Sequence, residues 1–211
     1  MNKFEFIKKV DLIKFIYLNN ICRNVIHKGR GKIIPYKNSV INFSEGSKII
    51  LHDGDLEIGV NKLNGSKTES FVRLYQNSEW NVRETCSINY GCTIEVLKGA
   101  VLNTKYFTMN SNSVLVCSDN IEIQHDVMIG RNVVIYDSDY HQIRKKSVLN
   151  ASKPVSIGTH VWLGTNSMIL KGAVIGENCI IGAGETVRGV VEANRTFTTG
   201  KVFENKGRWE R

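Results

Sequence analysis

Proline is nearly absent from this 211-residue chain: only Pro35 and Pro154 occur. Ser-rich, Gly-rich and low-complexity stretches are also missing, so no linker separates two halves. One domain with a substantial core is therefore expected. Cysteine is sparse and odd in number, with Cys22, Cys86, Cys92, Cys117 and Cys179. That count, with no close pairing pattern, argues against a disulfide framework and suits a reducing compartment. No Cys-x-x-Cys pair exists, so a cysteine zinc site is not expected. Long apolar runs are lacking too. Lys8, Lys9, Asp11 and Lys14 break up the first twenty residues, so neither a signal peptide nor a membrane span is expected. The reading is a cytoplasmic protein.

Acid is scarce at the N-terminus. Residues 1–37 carry nine basic side chains against Glu5 and Asp11, a balance of +7 out of a net +8, which leaves the rest near neutral. Such asymmetry points to an anionic partner near that end, a membrane surface or a phosphorylated substrate. Nucleic acid fits less well, because no recognition motif accompanies the charge. Phe6, Val10, Ile13, Tyr17 and Ile21 share one face of a helix over 3–24. One reading packs that face over the end of the fold and hides its open edges. The other rests a basic helix on the inner face of a membrane, peripheral to it and close to a lipid-linked glycan.

What is present in quantity is a period of six. Ile123, Ile129, Ile135, Ile157, Leu163, Ile169, Ile175, Ile181 and Val187 step by six, with one interruption. Glycine follows at 130, 158, 164, 176 and 182. Neither a 3.6-residue helix nor a lone amphipathic strand has this period. Short strands sending one aliphatic side chain inward, each followed by a glycine that permits a bend, close a three-sided coil. Stacked coils then form columns of like side chains. Val82, Ile88 and Ile94 form a weaker run, and between Ile94 and Ile121 the register slips. The expected organisation is a basic, partly helical segment over 1–37, a β-helix over 38–200 with a loop at 139–154, and a basic tail over 201–211.

The stretch from Val155 to Gly184, with its Ile-Gly-Thr-His-Val-Trp-Leu-Gly and Ile-Ile-Gly-Ala-Gly segments, resembles the hallmark region of hexapeptide-repeat acyltransferases. That family includes galactoside, maltose and polysaccharide O-acetyltransferases. The resemblance implies a left-handed parallel β-helix, a homotrimer with sites between subunits, an acetyl-CoA donor and no metal. The acceptor would be a sugar, nucleotide-sugar or lipid-linked glycan hydroxyl, with a role in surface polysaccharide biosynthesis.

A loop that interrupts a regular solenoid is a candidate functional site. It opens on Asp137-Ser-Asp139-Tyr140-His141, which resembles the catalytic loop of the sugar O-acetyltransferases. An imidazole near neutrality can take the proton of an attacking hydroxyl. A carboxylate can orient that ring, and Asp139 and Asp137 are both available. On the resemblance, Asn112 and Tyr140 would contact the acceptor. Trp162, Thr165, Ala183 and Arg188 would line the donor groove. The tail lacks the family's Gly-Asn-Pro-Ala-Lys segment, so Lys201 or Lys206 would meet the CoA phosphates. Three other readings use the same scaffold: a γ-class carbonic-anhydrase-like zinc enzyme, an amino-sugar N-acetyltransferase, and a non-catalytic solenoid. Against the first, His125, His141 and His160 lack a pair five residues apart.

Overall fold

The computed structural model describes residues 7–140, 152–205 and 208–210. The chain winds as a left-handed parallel β-helix with three flat faces. Every third strand returns to the same sheet, and the sheets hold eight, nine and seven strands. One coil thus reads Val155–Ile157 on the first face, Trp162–Leu163 on the second and Met168–Ile169 on the third. The sixth-residue aliphatics stack as columns, Ile123 on Ile157 on Ile175, Ile129 on Leu163 on Ile181, and Ile135 on Ile169 on Val187. All are buried. No coil closes its own hydrogen bonds, so each is stable only between neighbours.

The glycines of the repeat serve differently from the sequence-based expectation. Gly158, Gly164 and Gly176 do not take the left-handed bend; His160, Asn166 and Asn178, two positions on, do so with φ of 56°, 61° and 53°. What requires the glycine is close approach between coils. A Cβ on Gly164 would stand 2.6 Å from the Ala183 nitrogen and 2.7 Å from the Ile181 carbonyl oxygen.

The slipped stretch after Ile94 has a plain cause. First-face partners are 22 residues apart at Trp80 and Leu102, 19 at Leu102 and Ile121, and 18 at Ile157 and Ile175. Only an 18-residue coil yields a strict hexad. The early strands, such as Cys86–Asn89 and Thr93–Val96, bury two inward residues each, as the later faces do, but they are longer and the turns between them unequal.

Two boundaries move. The solenoid starts at Val25, since Val25–His27 and Ile33–Pro35 already belong to the first and second faces; the expected start was residue 38. These strands escaped because their inward residues Val25 and Ile33 are eight apart. At the other end, Lys201–Glu204 is not a loose tail but turns back as an antiparallel strand on Arg195–Thr198.

The N-terminal helix runs over Leu12–Asn20, and Asp11 caps it by accepting the Lys14 N–H. It lies against the open end of the first coil. The Asn19 side chain receives the Ile33 N–H and donates to the Ile33 carbonyl, so an amide stands in for a missing strand. The buried side is Leu18, Asn19 and Cys22. The face read from sequence is therefore the wrong one: Ile13, Tyr17 and Ile21 point outward, while Val10 lies before the helix in a bridge to Tyr36. Phe6 lies outside the described residues.

Candidate active site

The interrupting loop leaves the solenoid where the third face turns to the first. Its base is pinned. Ser138 and Ser152 pair across the neck, and Lys153 N–H donates to the Asp137 carbonyl at 2.9 Å. The Asp137 side chain is fully buried and accepts the N–H groups of Ser118 at 2.7 Å and Asp119 at 2.8 Å. Burial pushes this carboxyl above its usual range, against those backbone donors, which favour the charged form. Asp137 therefore fastens the loop to the preceding coil.

Asp139 is the exposed carboxylate of the pair. Lys171, from the corresponding turn of the next coil, holds it at 2.5 Å. Tyr140 takes a left-handed φ of 59°, rare for a bulky residue. Its N–H donates to the Ser138 hydroxyl at 3.0 Å, and its ring stands edge-on to Tyr136, 5.8 Å between centroids. Burial pushes its hydroxyl up to about 12. His141 lies outside the described residues, as does most of the loop, so the chain's direction is fixed up to the residue before it. Lys171, Ser118 and Tyr136 were not legible as parts of this cluster, because their contacts bridge residues 19 to 32 positions apart in sequence or arise from the loop's own turn.

The other named residues occupy the opposite edge of the third face. Asn112, Thr165 and Ala183 lie where the second face turns to the third. Asn112 is exposed, with a left-handed φ of 64°, in a turn column with Gly91, Asn132, Asn166 and Gly184. Thr165 and Ala183 are exposed on adjacent coils, and the Gly184 N–H donates to the Thr165 carbonyl at 2.9 Å. A side chain on Gly184 would meet nothing within 4 Å, so a lane of small residues is open along this edge. Lys201 is exposed just past the hairpin turn, where Glu185 accepts the N–H groups of Thr199 and Gly200. Arg188, exposed, returns to the loop's edge. Lys206 lies outside the described residues.

Trp162 stands on the second face beside the returning tail. Trp209 lies 6.4 Å from it and stacks on the buried His160 at 4.0 Å. His160 Nδ1 is 2.5 Å from an Asp126 carboxylate oxygen, Nε2 is 3.0 Å from the Trp209 carbonyl, and Trp209 Nε1–H donates to the His160 carbonyl. This histidine locks the tail. His125 sits 2.5 Å from a Glu84 carboxylate. Among the described residues no three His, Cys, Asp or Glu side chains converge as a metal site.

The three-faced coil of stacked hexads, with a loop breaking one turn, is the left-handed β-helix of hexapeptide repeats. Residues 154–189 match the family of bacterial transferase hexapeptides (six repeats), and the likeness read from the Val155–Gly184 stretch is borne out. Galactoside O-acetyltransferase of Escherichia coli K12 is 30% identical over 122 residues, 56% of this chain and 55% of that one. Polysialic acid O-acetyltransferase of Neisseria meningitidis is 30% identical over 95 residues, 44% of this chain and 41% of that one. The chain thus spans about half the length of the curated relatives it matches. The crystal structure of the polysialic-acid-specific acetyltransferase NeuO superposes with a TM-score of 0.51 at 20% identity, over 90% of both chains. That likeness is one of fold.

Proposed function

We propose that the protein is an acetyl-CoA-dependent O-acetyltransferase acting on a sugar or glycan hydroxyl, in the making of a surface polysaccharide. The observation that carries this reading is the pinned loop. It interrupts the solenoid one turn before the matched hexapeptide segment, and holds an exposed Asp139 two residues from His141. His141 takes the acceptor proton as its oxygen attacks the thioester carbonyl, Asp139, steadied by Lys171, supports the imidazolium that forms, and the imidazolium returns the proton to the CoA thiolate as the C–S bond breaks. Asp137, committed to backbone N–H groups, holds the loop. Tyr140 walls the acceptor side.

Acetyl-CoA supplies the activated acyl group. Thr165, Ala183 and the open backbone at Gly184 fit an extended pantetheine, which needs small residues and accessible amides. Lys201 offers a cation for the phosphates and Trp162, on the second face, walls the lane; Arg188, on the loop's edge, would join them from another copy. Direct transfer is favoured over a cysteine acyl-enzyme. Burial pushes the Cys86 thiol up to about 12 and Cys92 up to about 11, and raises Cys117 as well, which suppresses the reactive thiolate. The loop leaves the solenoid at one edge of the third face and the small-residue lane lies at the other, which favours a site shared between the copies of a homotrimer, the loop of one facing the lane of the next.

The test is a mass-spectrometric screen of glycosides, nucleotide sugars and glycan fragments with acetyl-CoA. A product gaining one acetyl group is expected. His141→Ala should lower turnover by roughly 10²–10⁴-fold; near-normal turnover in that variant excludes the base role.

A further inference from the structure

The outward face of the N-terminal helix is apolar, and its surroundings are cationic. Leu12, Ile13, Ile16, Tyr17 and Ile21 are all exposed, Ile13 at 86% and Ile21 at 65%. At i, i+4 and i+8, Ile13, Tyr17 and Ile21 form one stripe, and Leu12 with Ile16 extends it. The opposite side of the helix is already used against the first coil. Soluble surfaces seldom leave so many aliphatics together without a partner. The exposed cations Lys9, Arg23, Lys28, Arg30, Lys32 and Lys37 belong to the same cap and first coil. The nearby carboxylates Asp53 and Asp55 accept backbone N–H groups from Arg30 and Lys32. Just ahead of the helix, Lys8, Lys9, Lys37 and Lys62 line a cavity of about 260 Å³.

We propose that this end of the molecule binds an anionic lipid bilayer, with the stripe seated among the acyl chains near the headgroups and the lysine cavity and cationic collar meeting lipid phosphates. The charge decides among occupants. Two copies of this face brought together would set cation against cation, which is costly; a bilayer carrying negative charge neutralises the collar while covering the aliphatics. Tyr17, apolar in body and polar at its tip, suits the boundary layer. No helix among the described residues is long and apolar enough to cross a membrane, so contact is along the surface. The inference does not depend on the acetyltransferase reading.

The experiment is flotation of the full chain with vesicles of phosphatidylcholine alone and with roughly 30–40% phosphatidylglycerol, at low and high salt. Expected is flotation with the anionic vesicles that drops at least tenfold in the Ile13→Glu/Ile16→Glu double variant and in Lys28→Glu/Arg30→Glu. Far-ultraviolet dichroism and melting temperature should stay unchanged, since these side chains are exposed. No flotation of the wild type on either vesicle overturns the proposal, and so does equal binding to neutral lipid. Light scattering tests the competing occupant: if the isoleucine variant falls apart into smaller species, the stripe is a contact between copies and the proposal fails. Acetyl transfer to a soluble acceptor should persist in both variants, which separates this test from that of the catalytic reading.

Discussion

Replacing Asp137 by alanine should cost about 1–3 kcal/mol of stability, because the part-buried N–H groups of Ser118 and Asp119 would lose their carboxylate acceptor. The melting temperature should fall accordingly. Burial raises this carboxyl, so the wild type should lose part of its stability as pH climbs past the ordinary carboxylate range, and the alanine variant should lack that slope. Asp139→Asn should behave oppositely. Its side chain is exposed and, among the described residues, ion-paired with Lys171 alone, so the melt should hardly move. Turnover should drop at least tenfold if Asp139 supports the imidazolium, and steady-state kinetics across pH would show it. The pattern Asp-x-Asp-x-His offered both carboxylates equally. What separated them was contact with residues 18 to 32 positions away, which no local spacing encodes.

At the level of the coil, Gly164→Ala should destabilise by about 1–3 kcal/mol, since the added methyl would fall 2.6 Å from the backbone of the coil above. Chemical denaturation would measure it, and Gly184→Ala, open in space, should be limited to the strain of its left-handed φ of 73°. The hexad from 155 onward was readable because coils there repeat every 18 residues, so the same inward positions recur at every sixth residue. Earlier coils hid the same architecture behind longer strands and unequal turns. The helix misled for a different reason. Its amphipathic stripe was genuine, yet the side chains that reach the first coil are Leu18, Asn19 and Cys22, and one of these is an amide working as a strand substitute. Periodicity reports which face is apolar; it does not report which face is covered.

For the whole molecule, the proposed homotrimer, with the loop of one copy facing the small-residue lane of another, makes a collective prediction. His141→Ala alone and Thr165→Trp alone should both be inactive, the second by filling the small-residue lane. Trimers re-formed from an equal mixture should regain activity, because some contacts pair an intact loop with an intact lane. Activity that stays absent in mixtures of confirmed mixed composition would mean that each chain holds a complete site. The three-sided coil was legible at this scale from the six-residue period and its handedness from the resemblance; the homotrimer is implied by the resemblance alone, since a contact between copies leaves no period in one sequence.

A column of parallel strands invites its own kind to add at either end. Here the lower rim meets Asn19, whose amide occupies both backbone groups of Ile33, and the upper rim meets the antiparallel strand Lys201–Glu204. A chain shortened to begin at Asn24 would present a bare ledge of Val25–His27 and Ile33–Pro35. It should polymerise end to end into fibrils, visible by electron microscopy at concentrations where the full chain stays dispersed. Asn19 and the short bridge of Val10 to Tyr36 imitate a strand without offering another edge, the stop that a protein made of repeats needs if it is not to grow into a filament.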